Sequence, residues 1–157
     1  MQLDHAASGD RAESLFRRGF SCSQSVLMAF APGLGIEERQ AALVAAAFGG
    51  GMGRQGLTCG ALAGALMVLG LKHGHGIAED GAAKDALYAR VQALAARFEQ
   101  QHGASTCREL TGVNMLDPTE RQAASERGVF TTLCPQLVRT AATLVAEEID
   151  ATPSCRP

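Results

Sequence analysis

The chain breaks into short runs with helical spacing of apolar residues, separated by polar or glycine-rich segments. No run alternates with the two-residue period of a half-buried strand. Asp10-x-x-Glu13 starts a short amphipathic helix that ends near Gly19. Ser21 starts a second, with Val26, Leu27 and Phe30 as its apolar stripe, and Pro32-Gly33 stops it. A third is predicted from about Ile36 to Phe48, with Leu43, Val44 and Ala47 facing inward. The stretch Gly49-Gly50-Gly51-Met52-Gly53-Arg54-Gln55-Gly56 is too rich in glycine for the interior of a helix or strand. A fourth helix runs from Cys59 to about Lys72. Asp80 caps a fifth, from Gly81 to Gln101, which Gly103 ends. Cys107 to Leu110 forms one short turn. Asp117-Pro118-Thr119-Glu120 is a start signal, with proline at the first helical position. The last helix spans Pro135 to about Ile149. The fold class read from this pattern is all-α: one multi-helix bundle over residues 1–150, then a disordered tail over 151–157.

Composition narrows the function. At 157 residues the chain is long enough for one domain with a real core. Its 14 basic residues are scattered and its net charge is −2, so no nucleic-acid footprint is present. Trp is absent and aromatics are few, which removes the usual platforms for stacking bases or sugars. The longest uncharged stretch, Gln55 to Leu71, contains four glycines and reads as a buried core helix, so no membrane insertion is expected. Met1-Gln2-Leu3-Asp4-His5 has an acid where a secretion signal carries bases. A cytoplasmic protein is therefore expected. In a reducing compartment cysteines point to metal or redox chemistry more than to structural disulfides, and the odd count of five agrees.

Four of the five cysteines fall at helix starts. Cys22 follows Ser21, with Gln24 completing a capping box. Cys59 follows Thr58 and opens the fourth helix. Cys107 follows Thr106, with Glu109 three residues after that threonine. Cys134 precedes Pro135, a residue favoured in the first turn. Backbone N–H groups point outward at such ends, and the helix dipole favours negative charge. A thiol placed there is biased toward thiolate, the form that binds metal and attacks disulfides. Cys59 also has glycine close on both sides, which predicts a central place in any site. Cys155 lies in the proline-bearing tail and is expected to be unrelated.

The remaining motifs have milder readings. Gly60 and Gly64 lie one turn apart and make a flat face, read mainly as a surface for close helix packing. Gly51-x-Gly53-x-x-Gly56 matches a dinucleotide pattern by letter, but a helix rather than a strand precedes it, which argues against a nucleotide site. Backbone amides folded over an anionic sulfur site are the better functional reading of that loop. His73-Gly74-His75 could bind metal, although a solvated helix end is the simpler account. Arg54 and Arg108 are either solvated or hold the negative charge of a thiolate. Alanine- and glycine-rich helix faces also suggest a homodimer.

Taken together, these segments resemble the C_GCAxxG_C_C family, whose redox role is inferred from its cysteines. Phe20-Ser21-Cys22-Ser23-Gln24-Ser25-Val26 is similar to its first cysteine segment. Phe48 to Gly53, Cys59-Gly60-Ala61-Leu62-Ala63-Gly64-Ala65 and Met67-Val68-Leu69-Gly70 are similar to its central motif. The label spells that motif Gly-Cys-Ala, where this chain reads Cys59-Gly60-Ala61. Cys107-Arg108-Glu109-Leu110 and Cys134-Pro135 are similar to the last two segments. The resemblance spans roughly residues 11 to 149. It implies a redox-active cysteine protein with no assigned enzymatic reaction. It also points to an iron–sulfur centre, because a similar domain in certain multihaem cytochromes is associated with one. The sequence contains no Cys-x-x-Cys-His, so it attaches no c-type haem itself.

Three functions follow from these observations. In the first, Cys22, Cys59, Cys107 and Cys134 ligate an iron–sulfur cluster or another metal for electron transfer to a partner protein. In the second, the same cysteines form reversible disulfides. In the third, the chain is a non-catalytic helical interaction module whose cysteines are small core residues. The first two readings require cysteines separated by 37, 48 and 27 positions to converge, and the third does not.

Overall fold

The computed structural model describes residues 4–151, in which the chain is helical nearly throughout. In order come α1 (His5–Arg17), α2 (Cys22–Phe30), α3 (Glu38–Ala45), α4 (Gly49–Met52), α5 (Gly60–His73), α6 (Gly81–His102), α7 (Cys107–Thr111), α8 (Pro118–Glu126), α9 (Val129–Thr132) and α10 (Cys134–Asp150). Short 3-10 turns at Ala31–Leu34 and Ala46–Phe48 follow α2 and α3. The all-α reading holds. Among the described residues the only β pairing is one isolated bridge, Thr58 with Thr106.

The core is built by α1, α2, α5 and α10, with α3 laid on α2 and α6 laid on α5 and α10. α10 contributes Leu137, Val138, Leu144 and Val145, α5 contributes Leu62, Val68 and Leu69, and α6 adds Leu94 and Phe98. Full burial of such side chains stabilises by roughly 1.5–3 kcal/mol each before entropy is counted. Close approach of α2 and α5 depends on Gly64. A Cβ there would stand 2.7 Å from the Ser23 carbonyl oxygen and 3.0 Å from the Val26 Cβ. The packing reading of the glycine face is therefore correct.

Several sequence expectations need correction. α1 begins at His5, because Asp4 rather than Asp10 is the cap and accepts from the Ala7 N–H at 3.0 Å. Asp10 lies within the helix and pairs with Arg139 of α10. α3 turns the opposite face to the one expected. Ala41 and Ala45 are buried, Ala47 is exposed, and Leu43 and Val44 are each 62% exposed. The cause lies in α2: Ser23 Oγ donates to the Ala45 carbonyl at 2.8 Å, and Gln24 Nε2 donates to the Ala42 carbonyl at 2.9 Å. Those polar contacts need α3 close, and only its alanine side permits that.

The last helix is longer than expected. α9 precedes it, and Leu133 between them keeps helical dihedrals. Val129–Asp150 is long and apolar enough, by length and composition, to cross a membrane; α10 packs along its length against α1, α2, α5 and α6. Cys155 and the rest of the expected tail beyond Ala151 lie outside the described residues.

Candidate functional site

Two chain segments far apart in sequence are stitched together beside the glycine loop. The Cys59 N–H donates to the Ser105 carbonyl at 2.8 Å, and the Cys107 N–H donates to the Leu57 carbonyl at 2.7 Å. The Arg108 N–H adds a bond to the Gly56 carbonyl at 3.1 Å. These bonds flank the Thr58–Thr106 bridge and hold the starts of α5 and α7 side by side. Thr58 is thereby committed to pairing. Cys59 itself occupies the cap position of α5, rather than the first turn behind a threonine cap.

The loop before this bridge is a left-handed turn. Gly50, Gly51, Met52, Gly53 and Arg54 all have positive φ, between +64° and +70°. α4 is thus helical by its hydrogen bonds but not by its interior dihedrals. The expectation that this stretch cannot be an ordinary helix is met, and the reason is specific. At Gly51 a Cβ would stand 2.6 Å from the Leu57 nitrogen and 2.7 Å from the Cys107 Cβ. Absence of a side chain there lets the loop close over Cys107.

The other two cysteines arrive from the bundle. Cys22 is the first residue of α2, behind a complete capping box. The Ser21 N–H donates to Gln24 Oε1 at 3.0 Å, and the Gln24 N–H donates to Ser21 Oγ at 3.4 Å. A Cβ on Gly60 would lie 3.3 Å from the Cys22 Cβ, so α2 and α5 meet end to end at this point. Cys134 stands where α9 passes into α10, and its neighbour Pro135 has no N–H to offer. It opens α10 with Pro135 in the first turn, as expected, although α9 leads into it through Leu133 and no side chain caps it.

Cys22, Cys107 and Cys134 line one cavity of about 420 Å³, with Phe16, Met115 and Phe130 among its apolar residues and Arg54 and Thr111 among its polar ones. Cys59 is buried and outside that lining. Each of the four thiols nevertheless feels the others. Ionised Cys22 raises the pKa of Cys107, Cys22 and Cys107 raise that of Cys59, and all three raise that of Cys134. All pairs among the four thiols are thus close enough to interact electrostatically. Tertiary structure brings together the residues that the sequence left dispersed.

Their protonation differs from the sequence expectation. Burial pushes the Cys59 thiol up to about 12 and the Cys107 thiol up to about 11. Burial also raises Cys22 and Cys134. Helix-end N–H groups act in the expected direction but are outweighed. Those of Leu62 and Ala61 favour the Cys59 thiolate without completing a capping hydrogen bond, and those of Gly50 and Cys22 itself favour the Cys22 thiolate. Thr111, whose hydroxyl donates to the Cys107 carbonyl at 2.7 Å, favours the Cys107 thiolate. Arg54 lines the same cavity as Cys22, Cys107 and Cys134, and among the described residues neither Arg54 nor Arg108 makes a side-chain hydrogen bond to a sulfur.

The histidines are elsewhere. His73 ends α5 and His75 follows it, at the opposite end of that helix from Cys59. His102 ends α6, its ring tilted against Phe98 at 4.9 Å between centroids, and burial lowers its pKa. Among the described residues, no three His, Cys, Asp or Glu side chains form a ready-made site for a metal ion. The feature that sequence reasoning missed is the Thr58–Thr106 bridge, which carries no local signal because it joins residues 48 positions apart.

No curated protein sequence and no solved structure gives a significant match to this chain. One family model does, over residues 20–148, and that span contains all four site cysteines, the glycine loop and the helices that position them. The chain belongs to this family, described as Putative redox-active protein (C_GCAxxG_C_C).

Proposed function

We propose that Cys22, Cys59, Cys107 and Cys134 together hold an iron–sulfur cluster and that the protein carries electrons through it. The observation behind this reading is that Cys22, Cys107 and Cys134 line one cavity and that Cys59, buried outside its lining, lies within electrostatic range of all three. Four buried thiolates repel one another and lose hydration, so they stay protonated until a cation compensates. A cysteine-only donor set suits iron–sulfur ligation, and a bound cluster would supply a one-electron carrier.

A lone metal fits less well. A single zinc ion draws thiolates to about 2.3 Å from one point, whereas three of these thiols line a cavity and no compact trio of ligands is present among the described residues. A polynuclear cluster occupies volume and tolerates that spread. The chain's own contribution is then to tune the centre. N–H groups of Gly50, Ala61 and Leu62 favour negative charge on sulfur, while Phe16, Met115 and Phe130 limit water.

One observation favours a second reading. Cys22 and Cys107 are only half-buried and both line the cavity, whereas Cys59 and Cys134 are buried. As a thiol–disulfide couple, Cys22 and Cys107 would form one S–S bond and pass two electrons and two protons to a partner disulfide, which becomes a dithiol. Anaerobic purification followed by an optical spectrum and analysis of iron and sulfide separates the two. Charge-transfer bands with stoichiometric iron and sulfide support the cluster. A colourless protein that loses two thiols on mild oxidation supports exchange instead.

A further inference from the structure

The cavity wall contains one full charge, and among the described residues no carboxylate answers it. Arg54 lines the space, and no aspartate or glutamate does. Several other arginines are paired: Arg17 with Glu13, Arg90 with Glu148, Arg97 with Glu147, and Arg139 with Asp10 and Glu13. Arg54 is an exposed residue and, among the described residues, has no ion pair or side-chain hydrogen bond. Arg108 is in the same position, and its backbone is bonded to Gly56, two residues beyond Arg54. Arg54 has a φ of +70°, a conformation glycine adopts without cost, and four of its near neighbours in the turn are glycines for that reason. A residue with a Cβ gives up roughly 1–2 kcal/mol there, a cost that Met52 also bears at φ +64° in the same turn.

We infer that the cavity is a binding site for a small molecule bearing an oxyanion group, a carboxylate or a phosphate, with Arg54 as its charge anchor. The volume suits a small ligand. The anion sits on the guanidinium, and the rest of the molecule extends toward the half-buried thiols of Cys22 and Cys107. An arginine fork binds carboxylate or phosphate through paired N–H donors, which a lone ammonium cannot match. The inference refines the site of the proposed redox function but requires neither the cluster nor the disulfide reading in particular.

The test compares two alkylating probes on the full-length reduced protein, freed of any metal: iodoacetate, which is anionic, and iodoacetamide, which is neutral. Their rate ratio at Cys22 and Cys107, read by peptide mass spectrometry and divided by the ratio for free cysteine, cancels differences in thiol pKa. The wild type should favour iodoacetate several-fold, and inorganic phosphate should erase that preference. R54Q should fall to the free-cysteine ratio, R54K should retain part of the preference, and R18Q should match the wild type. Should R54Q fail to fold, the wild-type preference must still collapse as ionic strength rises. A wild-type ratio equal to that of free cysteine, or a preference unchanged in R54Q or by salt, overturns the inference. Iron and sulfide content measured separately on R54Q keeps the two proposals apart: absent iron in every variant with an intact iodoacetate preference sinks the cluster reading and leaves the anion site standing.

Discussion

Thr58 and Thr106 pair across an antiparallel bridge, and each is the residue immediately before a site cysteine. The bridge fixes the backbones of Cys59 and Cys107 through hydrogen bonds of 2.8 and 2.7 Å to Ser105 and Leu57. Two helix starts are thereby set side by side without a disulfide. A redox or ligand-binding site gains from this because the backbone frame does not depend on the state of the sulfurs.

Gly51→Ala should damage this frame. Its Cβ would meet the Leu57 nitrogen at 2.6 Å and the Cys107 Cβ at 2.7 Å, in a left-handed conformation. We expect a loss of about 2–5 kcal/mol, combining the left-handed cost with overpacking. Gly53→Ala is the control, because its Cβ would meet only the Ala47 carbonyl oxygen, at 3.5 Å, and only the backbone cost of about 1–2 kcal/mol remains. Chemical denaturation of both variants checks the difference, and equal losses would show that the loop relaxes freely.

Stability of the reduced, metal-free protein should fall at high pH. The folded thiols hold their protons more tightly than unfolded ones, with Cys107 raised to about 11 and Cys59 to about 12 from an ordinary value of 9.0. Stability from these groups is intact below pH 9 and drains away as pH rises through 9 to 12. Thermal melts should show this decline, and it should shrink in Cys59→Ala. A melting temperature flat across that window would mean that the thiols are far more hydrated than their burial indicates.

Each site cysteine should be required for a bound cluster. Cys22→Ala, Cys59→Ala, Cys107→Ala and Cys134→Ala should each lower iron and sulfide content at least tenfold while helical circular dichroism persists. A four-thiolate centre loses a ligand in every case. If Cys59→Ala alone retains full iron, the ligand set is confined to the three cysteines that line the cavity.

Ser23→Ala should loosen α3. The Ser23 hydroxyl is fully buried and donates to the Ala45 carbonyl at 2.8 Å. Its removal leaves a buried acceptor unsatisfied, at a cost of about 1–3 kcal/mol. Hydrogen exchange should quicken in Glu38–Ala45 more than in α10, and uniform change across both helices would count against a local role.

The local settings of the cysteines were legible in the sequence. Ser21 with Gln24, Thr106 with Glu109, and Asp117 with Pro118 act over three or four residues, so each start of α2, α7 and α8 could be read from neighbours alone. The glycine loop was legible for the same reason, since a run of positive φ needs glycine at most positions. Three things were decided only by the tertiary structure. The face of α3 was set by polar contacts from Ser23 and Gln24, which reverse what apolar spacing suggests. The thiol pKa values were set by burial, which outweighs the helix-end N–H groups because desolvation accumulates from every packed neighbour, while a helix end offers only a few donors. The meeting of Cys22, Cys59, Cys107 and Cys134 was set by how α2, α5 and α10 pack and by a bridge between residues 58 and 106. A chain encodes such long-range contacts only through the fold as a whole.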